Sequence, residues 1–169
     1  MEISCFSNSM YRIGFAEDIH RLVENRKLLL GGVEIPFHLG EEAHSDGDVL
    51  LHAISEALLG SLALGDLGKH FPDTSCKTKD MCSVDIVKHV LNLVYEKKYN
   101  IANIDCSIVL ERPKLSPYIE QIRKSISNIL SIEIEQISIK ACTNEGHDAI
   151  GEGKAVKATA IVLIKQNEK

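Results

Sequence analysis

The sequence predicts an α+β domain: a two-layer α/β sandwich with a mixed four-stranded sheet, a small separate hairpin, and helices on one face. Three observations carry this. The elements read in the order β, hairpin, α, α, β, α, β, β. The hydrophobic period changes from strand-like to helical after the hairpin. No repeat, linker or low-complexity segment divides the chain.

Tyr11 to His20, YRIGFAEDIH, reads as a strand leading into a loop, and LLLGGVEIPF as two short strands joined by a Gly31-Gly32 turn. From Val49, apolar residues at Val49, Leu50, Ala53, Ile54, Ala57 and Leu58 recur at helical spacing, with Asp46 or Asp48 as cap and Gly65 as terminator. A second helix is expected to start on a Ser83 cap and run through VDIVKHVLNLVYEKK. The alternating strand IANIDCSIVLE follows at 101–111. A third helix is expected near Ser116, with Pro117 in its first turn, where a missing amide costs nothing. Strands at 137–142 and 154–164 complete the pattern.

A chain of 169 residues that is 44% hydrophobic fits a single domain over 11–169 and buries a core without disulfides. Residues 1–10 read as a disordered tail. The net charge of −5 and the absence of a basic surplus argue against nucleic acid as a partner. The five cysteines form no CxxC pair and follow no secretory signal, which predicts reduced cytoplasmic thiols. No apolar run reaches the roughly 18 residues of a membrane span.

Asp18 and His20 are two apart, so in extended backbone they face the same side. They could form a ligand pair, although an isolated DxH is more often a surface turn. A carboxylate with two imidazoles and one open position is a common catalytic zinc arrangement, and His52 or His44 could complete it. His52 also fits a packing role on its helix. Asp48, one turn earlier, either orients its imidazole or caps the helix. His44 and Ser45 precede that helix, where free amides and the dipole favour an anion. LGDLGKHFPD at 64–73 offers Asp66 to a ribose diol or serves as a turn, and Thr143 and Glu145 leave a strand into a glycine-rich loop.

The segments RIGFAEDIH, GGVEIP, AHSDGDVLLHA, LGDLGKHFPD, ERPKLSP and KACTNEG stand in an order that resembles the 2-C-methyl-D-erythritol 2,4-cyclodiphosphate synthases of the non-mevalonate isoprenoid pathway. The resemblance runs from about Tyr11 to Lys165. It implies a homotrimer with active sites between subunits, no membrane partner, and a small-molecule substrate, 4-diphosphocytidyl-2-C-methyl-D-erythritol 2-phosphate. The implied products are the cyclic diphosphate and CMP. It further implies that Asp18, His20 and His52 hold one zinc per subunit, and that Glu145 holds magnesium or manganese on the substrate diphosphate. Asp18, Ile19 and His20 would border the substrate, and His44 and Ser45 would contact its phosphate. Asp66, Leu67 and Gly68 resemble the ribose and methylerythritol contacts, and Phe71, Pro72, Asp73, Thr74 and Ser75 part of the substrate loop. Leu110, Glu111, Arg112, Pro113, Lys114, Leu115 and Ser116 resemble the wall of the cytidine pocket. Cys142, Thr143, Asn144 and Glu145 resemble the nucleotide-phosphate contacts, with His44 and Thr143 in catalytic, transition-state-stabilising roles.

There are departures. Phe15 and Ala16 stand where a histidine and a glycine are common, Cys142 where threonine is usual, and Ile150 where an arginine contacts phosphate. That arginine's contact is lost or passes to Lys154 or Lys157. The expected chemistry is metal-assisted intramolecular phosphoryl transfer, which needs no enzymic nucleophile, and no convincing Ser-His-Asp set is legible in the sequence. A zinc hydrolase would need a general base, for which no glutamate is clearly placed. A non-catalytic binder of the same fold remains the third reading.

Overall fold

A computed structural model describes residues 10–43, 45–72 and 81–167. His44, Asp73, Thr74 and Ser75 of the expected site lie outside the described residues, as does the expected tail apart from Met10. The carbonyl of Met10 accepts from the Gln166 amide at 2.7 Å.

The main sheet has the order β4-β1-β7-β5-β6. Its spine is β1 (Tyr11–Glu24), antiparallel to β7 (Ala155–Gln166) from Tyr11↔Lys165 to Arg21↔Ala155. On the other side of β7 runs antiparallel β5 (Tyr99–Val109), and β5 pairs in parallel with β6 (Ile137–Cys142). The crossover helix α4 joins that parallel pair, which makes the sheet mixed. A separate hairpin of β2 (Leu28–Leu30) and β3 (Val33–Ile35) turns at Gly31 and Gly32, with φ of +62° and +78°. Two consecutive left-handed residues are what a tight hairpin turn demands, and glycine meets that demand without steric cost.

Among the described residues the sheet has five strands where four were expected. β1 does not stop at His20 but continues to Glu24, and its far end pairs with β4 (Leu39–Glu42). The segment LGEE carries almost no apolar alternation, so nothing in its pattern marks a strand. Gly40 makes it possible, because a Cβ there would lie 2.2 Å from the Lys27 carbonyl oxygen.

Among the described residues, five helices accompany the sheet: α1 (Val49–Ser61), α2 (Leu67–His70), α3 (Ser83–Glu96), α4 (Ile119–Leu130) and α5 (Asp148–Gly151). Asp48 caps α1 by accepting the Leu51 amide at 3.0 Å. The helix ends at Ser61, not at Gly65. The Ala63 amide returns to Gly60 O and that of Leu64 to Leu59 O, a Schellman closure with Ala63 in the left-handed position usually held by glycine. Cys82, not Ser83, is the cap residue of α3, because the Ser83 hydroxyl is committed to Asp46. The third helix starts at Ile119, after a turn in which the Tyr118 amide donates to Leu115 O.

The core lies between the sheet and α1. Leu50, Leu51, Ile54, Leu58 and Leu59 pack with Ile104, Ile108, Val162 and Ile164, all fully buried. At full burial each such side chain contributes about 1.5–3 kcal/mol. α1 presses close to β1, since a Cβ on Gly14 would meet the Ala57 carbonyl oxygen at 1.8 Å. The opposite face of β1 is bare and carries Ile13 (69% exposed), Phe15 (62%) and Ile19 (55%). Ile161 of β7, the partner of Phe15 in the ladder, extends the same patch. Among the described residues, no helix is long and apolar enough to cross a membrane, and Cys82, Cys106 and Cys142 are free thiols.

Candidate active site

The strand period of two places Asp18 and His20 on the helix-facing side of β1, and α1 delivers His52 to the same point. Ligand atoms of the three residues lie within 4.8 Å of one another. Asp18 Oδ2 is 3.1 Å from His20 Nε2 and 3.2 Å from His52 Nδ1, and the two rings meet edge-on. A carboxylate and two imidazoles converging in this way suit a zinc-type dication. Both histidines are largely buried and Asp18 less so, and all three line a cavity of about 440 Å³ with Ser45, Leu67, Gly68 and Phe71. Of the two candidates for the third ligand, His52 is thus the one the described residues bring to the pair.

Each ring is also held from behind. His20 Nδ1 is 2.7 Å from Glu41 Oε2 and 3.0 Å from Gly47 O. His52 Nε2 is 3.1 Å from both Ser45 Oγ and Ser83 Oγ, and Ser83 Oγ in turn donates to Asp46. Asp46 therefore does not cap α1 but ties the bend to the start of α3.

Burial, the largest influence on Asp18, would raise its pKa, but hydrogen bonds from His20 and His52 outweigh it and hold the carboxyl well below the usual range. Burial depresses His20, yet hydrogen bonds with Asp18 and Glu41 carry it up to about 10. Glu41, fully buried, is pushed up to about 8 by desolvation, against the hydrogen bond from His20. Asp48 is raised to about 6 by burial, opposed by the amides of Gly32, Leu51 and Gly31.

Two of the amides that open α1 are not free to receive an anion. Val49 N donates to Glu41 Oε2 at 2.9 Å and Leu51 N to Asp48 Oδ1, so the protein's own carboxylates occupy them. The expectation of a phosphate at the helix amides is corrected in that respect. Asp48 is a cap and a brace to Gly31 and Gly32 rather than a partner of His52. Asp66 caps α2 through the Lys69 amide, and Leu67 N donates to Glu56.

A Ser-His-Asp chain, unread in the sequence, does exist: Ser45 or Ser83, His52, Asp18. Ser83 is buried and its proton faces Asp46, while Ser45 Oγ accepts the Gly47 amide at 3.2 Å. Neither geometry resembles an exposed nucleophile.

A second cavity, about 520 Å³, is lined by Leu110 through Ser116 together with Cys142, Thr143 and Glu145. The Leu110 amide donates to Cys142 O at 3.0 Å and so joins its two walls. Thr143 Oγ1 donates to Glu145 Oε1 at 2.9 Å, whereas the Asn144 side chain turns to His147 O. Ile150 is buried in α5. Lys154 pairs with Glu152 and Lys157 with Glu17.

The two cavities stand at the same level of the sheet. Asp18 pairs with Ala158, Ala158 with Ile108, and Ile108 with Ala141, so β7 and β5 separate them by roughly 14 Å at the usual strand spacing. Sequence reasoning missed Glu41, Gly47 O and Ser83. The only available hint was the doubled acid in GEEAHSDGD, since neither β4 nor the contact with α3 is visible locally.

Fold and site together define a mixed-sheet α+β protein with a two-histidine, one-carboxylate cluster in one cavity and a second cavity across the sheet from it. The chain belongs to the YgbB family, which matches residues 11–165. It is 54% identical over 153 residues to 2-C-methyl-D-erythritol 2,4-cyclodiphosphate synthase of Treponema denticola, covering 90% of this chain and 95% of that protein. The corresponding synthase of Alkaliphilus metalliredigens is 51% identical over 156 residues, 92% of this chain and 98% of that one. Among solved structures, IspF of Plasmodium falciparum in a CDP complex superposes with a TM-score of 0.84 at 35% identity, over 96% of this chain and all of that one. The bifunctional IspDF of Campylobacter jejuni gives 0.89 at 35% identity, over 94% of this chain and 43% of that longer one.

Proposed function

We propose that this chain converts 4-diphosphocytidyl-2-C-methyl-D-erythritol 2-phosphate into 2-C-methyl-D-erythritol 2,4-cyclodiphosphate and CMP. The observation that carries the reading is the convergence of Asp18, His20 and His52, from a strand and a helix, at the level of the Leu110–Ser116 cavity. That pairing suits a substrate with a nucleotide at one end and phosphate at the other, and the relatives named above support the reaction.

Asp18, His20 and His52 would hold zinc, and Glu145 magnesium or manganese. The donor set fits: three ligand atoms already converge, and His20 keeps Nε2 for the ion when Nδ1–H donates to Glu41. When bound, the ions supply Lewis acidity and offset charge on the diphosphate. In the reaction, the 2-phosphate oxygen of the substrate forms a bond to the β-phosphorus and the bond to CMP breaks. Leu110 to Ser116 would hold the cytidine, Ser45 and His44 the phosphate end, and Leu67, Gly68 and Phe71 the methylerythritol between them. Thr143 and His44 would donate to the oxygens of the crowded phosphorus as their negative charge grows. Bringing two ends of one flexible polyanion together is worth roughly 7–11 kcal/mol in well-oriented cases. Asp66, Pro72, Asp73, Thr74, Ser75, Asn144 and Ile19 complete the proposed substrate surface.

We further propose a cytoplasmic homotrimer whose sites lie between subunits. The uncovered apolar patch of Ile13, Phe15, Ile19 and Ile161 supports it, since such a sheet face calls for a partner. The roughly 14 Å between the cavities within one chain also favours a site completed by a neighbour.

The test is incubation with the cytidyl substrate and zinc, followed by phosphorus NMR. Ring product with CMP supports the reading, and linear products point to a hydrolase. Asp18→Ala should abolish zinc uptake and ring formation while leaving the fold intact. Ser45→Ala, which removes a proposed phosphate contact, should weaken ring formation without abolishing it, and a covalent phosphoryl adduct on Ser45 in the wild type would favour a serine nucleophile.

A further inference from the structure

Glu41 is a carboxylate with no contact to solvent and two donors on the same oxygen. Oε2 lies 2.7 Å from His20 Nδ1 and accepts from Val49 N at 2.9 Å, while Oε1 is buried and has no partner among the described residues. Burying an ionised carboxylate is costly unless a counter-charge stands close by. A single helix amide does not offset that cost, and Asp48, which shares the neighbourhood, adds charge of the same sign. The group that faces Glu41 and can compensate it is the His20 ring, the far nitrogen of which points into the ligand cluster.

We propose that Glu41 is a positioning residue of the metal centre: it accepts the Nδ1 proton of His20, fixes the tautomer that leaves Nε2 free, and aims that lone pair at the point shared with Asp18 and His52. The proposal rests on the metal-binding reading above. A dication held at that point would supply the counter-charge that the buried Glu41 carboxylate needs, relayed through the His20 ring. Donating Nδ1–H to a carboxylate also makes the imidazole a better ligand to the ion. β4 serves as the carrier of this group: Glu41 is buried on it, and the close approach at Gly40 holds the strand where Glu41 meets His20.

The experiment measures zinc affinity by chelator competition in the full chain, and the visible bands of the cobalt-substituted protein, for wild type, Glu41→Leu and Glu41→Gln. Glu41→Leu should bind zinc roughly 10–100-fold more weakly and shift the cobalt bands. Glu41→Gln, which keeps an oxygen acceptor, should recover part of the loss. In zinc-loaded wild type, long-range proton–nitrogen correlations from ¹⁵N-labelled histidine should show His20 protonated on Nδ1, and this measurement decides even if the Leu variant does not fold. Unchanged affinity in folded Glu41→Leu, or metal on His20 Nδ1, overturns the proposal while leaving the metal reading intact. A wild-type protein that takes up no zinc overturns both.

Discussion

Ser83 Oγ lies 3.1 Å from His52 Nε2, while Asp18 Oδ2 lies 3.2 Å from Nδ1 on the other side of the same ring. The ring of His52 is thus fixed between α3 and β1, and Asp46, which accepts from Ser83, anchors the outer end of the chain. Ser83→Ala should therefore loosen the ring without disturbing the helix. Zinc affinity should fall by up to roughly 10–100-fold with an unchanged circular dichroism spectrum. Equal affinity would mean that Ser45 alone suffices to hold Nε2.

The charges behind the cluster make a pH prediction with a definite sign. Folding raises His20 from 6.5 to about 10 and Glu41 from 4.5 to about 8. The folded metal-free protein thus binds more protons than the unfolded chain across that interval. Stability from these groups is present at the acid end and lost as pH rises through the folded values. Asp18 is shifted the opposite way, and its contribution is lost only in acid, outside this window. The melting temperature of chelator-treated protein should fall from pH 6.5 to 9, and a rise over that range would contradict the assignment.

Asp48 joins three segments through one carboxylate, accepting from Leu51 at 3.0 Å, Gly31 at 3.0 Å and Gly32 at 2.6 Å. Asp48→Ala removes a helix cap and leaves hairpin amides without their acceptor. The expected loss is about 2–4 kcal/mol, read from urea unfolding. A loss under 0.5 kcal/mol would show that water reaches those amides.

Phe15→Glu places a charge at the centre of the bare sheet face. Sedimentation should show the proposed trimer replaced by smaller species, and ring formation should fall with it. Zinc uptake should persist, because all three ligands belong to one chain. A trimer that survives the change would move the interface elsewhere.

How much was legible depended on where each signal resides. The hairpin could be read from Gly31-Gly32, α1 from its apolar spacing, and the pair Asp18 and His20 from strand period alone, since these are local properties. His52 could be proposed but not chosen over its packing role until the helix was set against β1. β4 was hidden because LGEE has no apolar alternation, and the end of α1 because Ala63 occupies a turn position that composition assigns to glycine. Glu41 and Ser83 come from segments 11 residues before and 31 after His52, and no spacing rule connects such partners. Leu110 to Ser116 could be assigned to a pocket wall only through the resemblance, because the wall they form with Cys142 exists only through the parallel pairing of β5 and β6.

The contact of Gly14 with the carbonyl of Ala57 reaches further than packing. It sets the depth at which α1 rests on β1, and each of those elements donates to one three-atom constellation, Asp18 and His20 from the first, His52 from the second. The absence of a single carbon atom, four residues along the strand from Asp18, thereby calibrates the spacing of the three side chains that would hold an ion. Selection on ion binding can in this way act through a residue that never meets the ion.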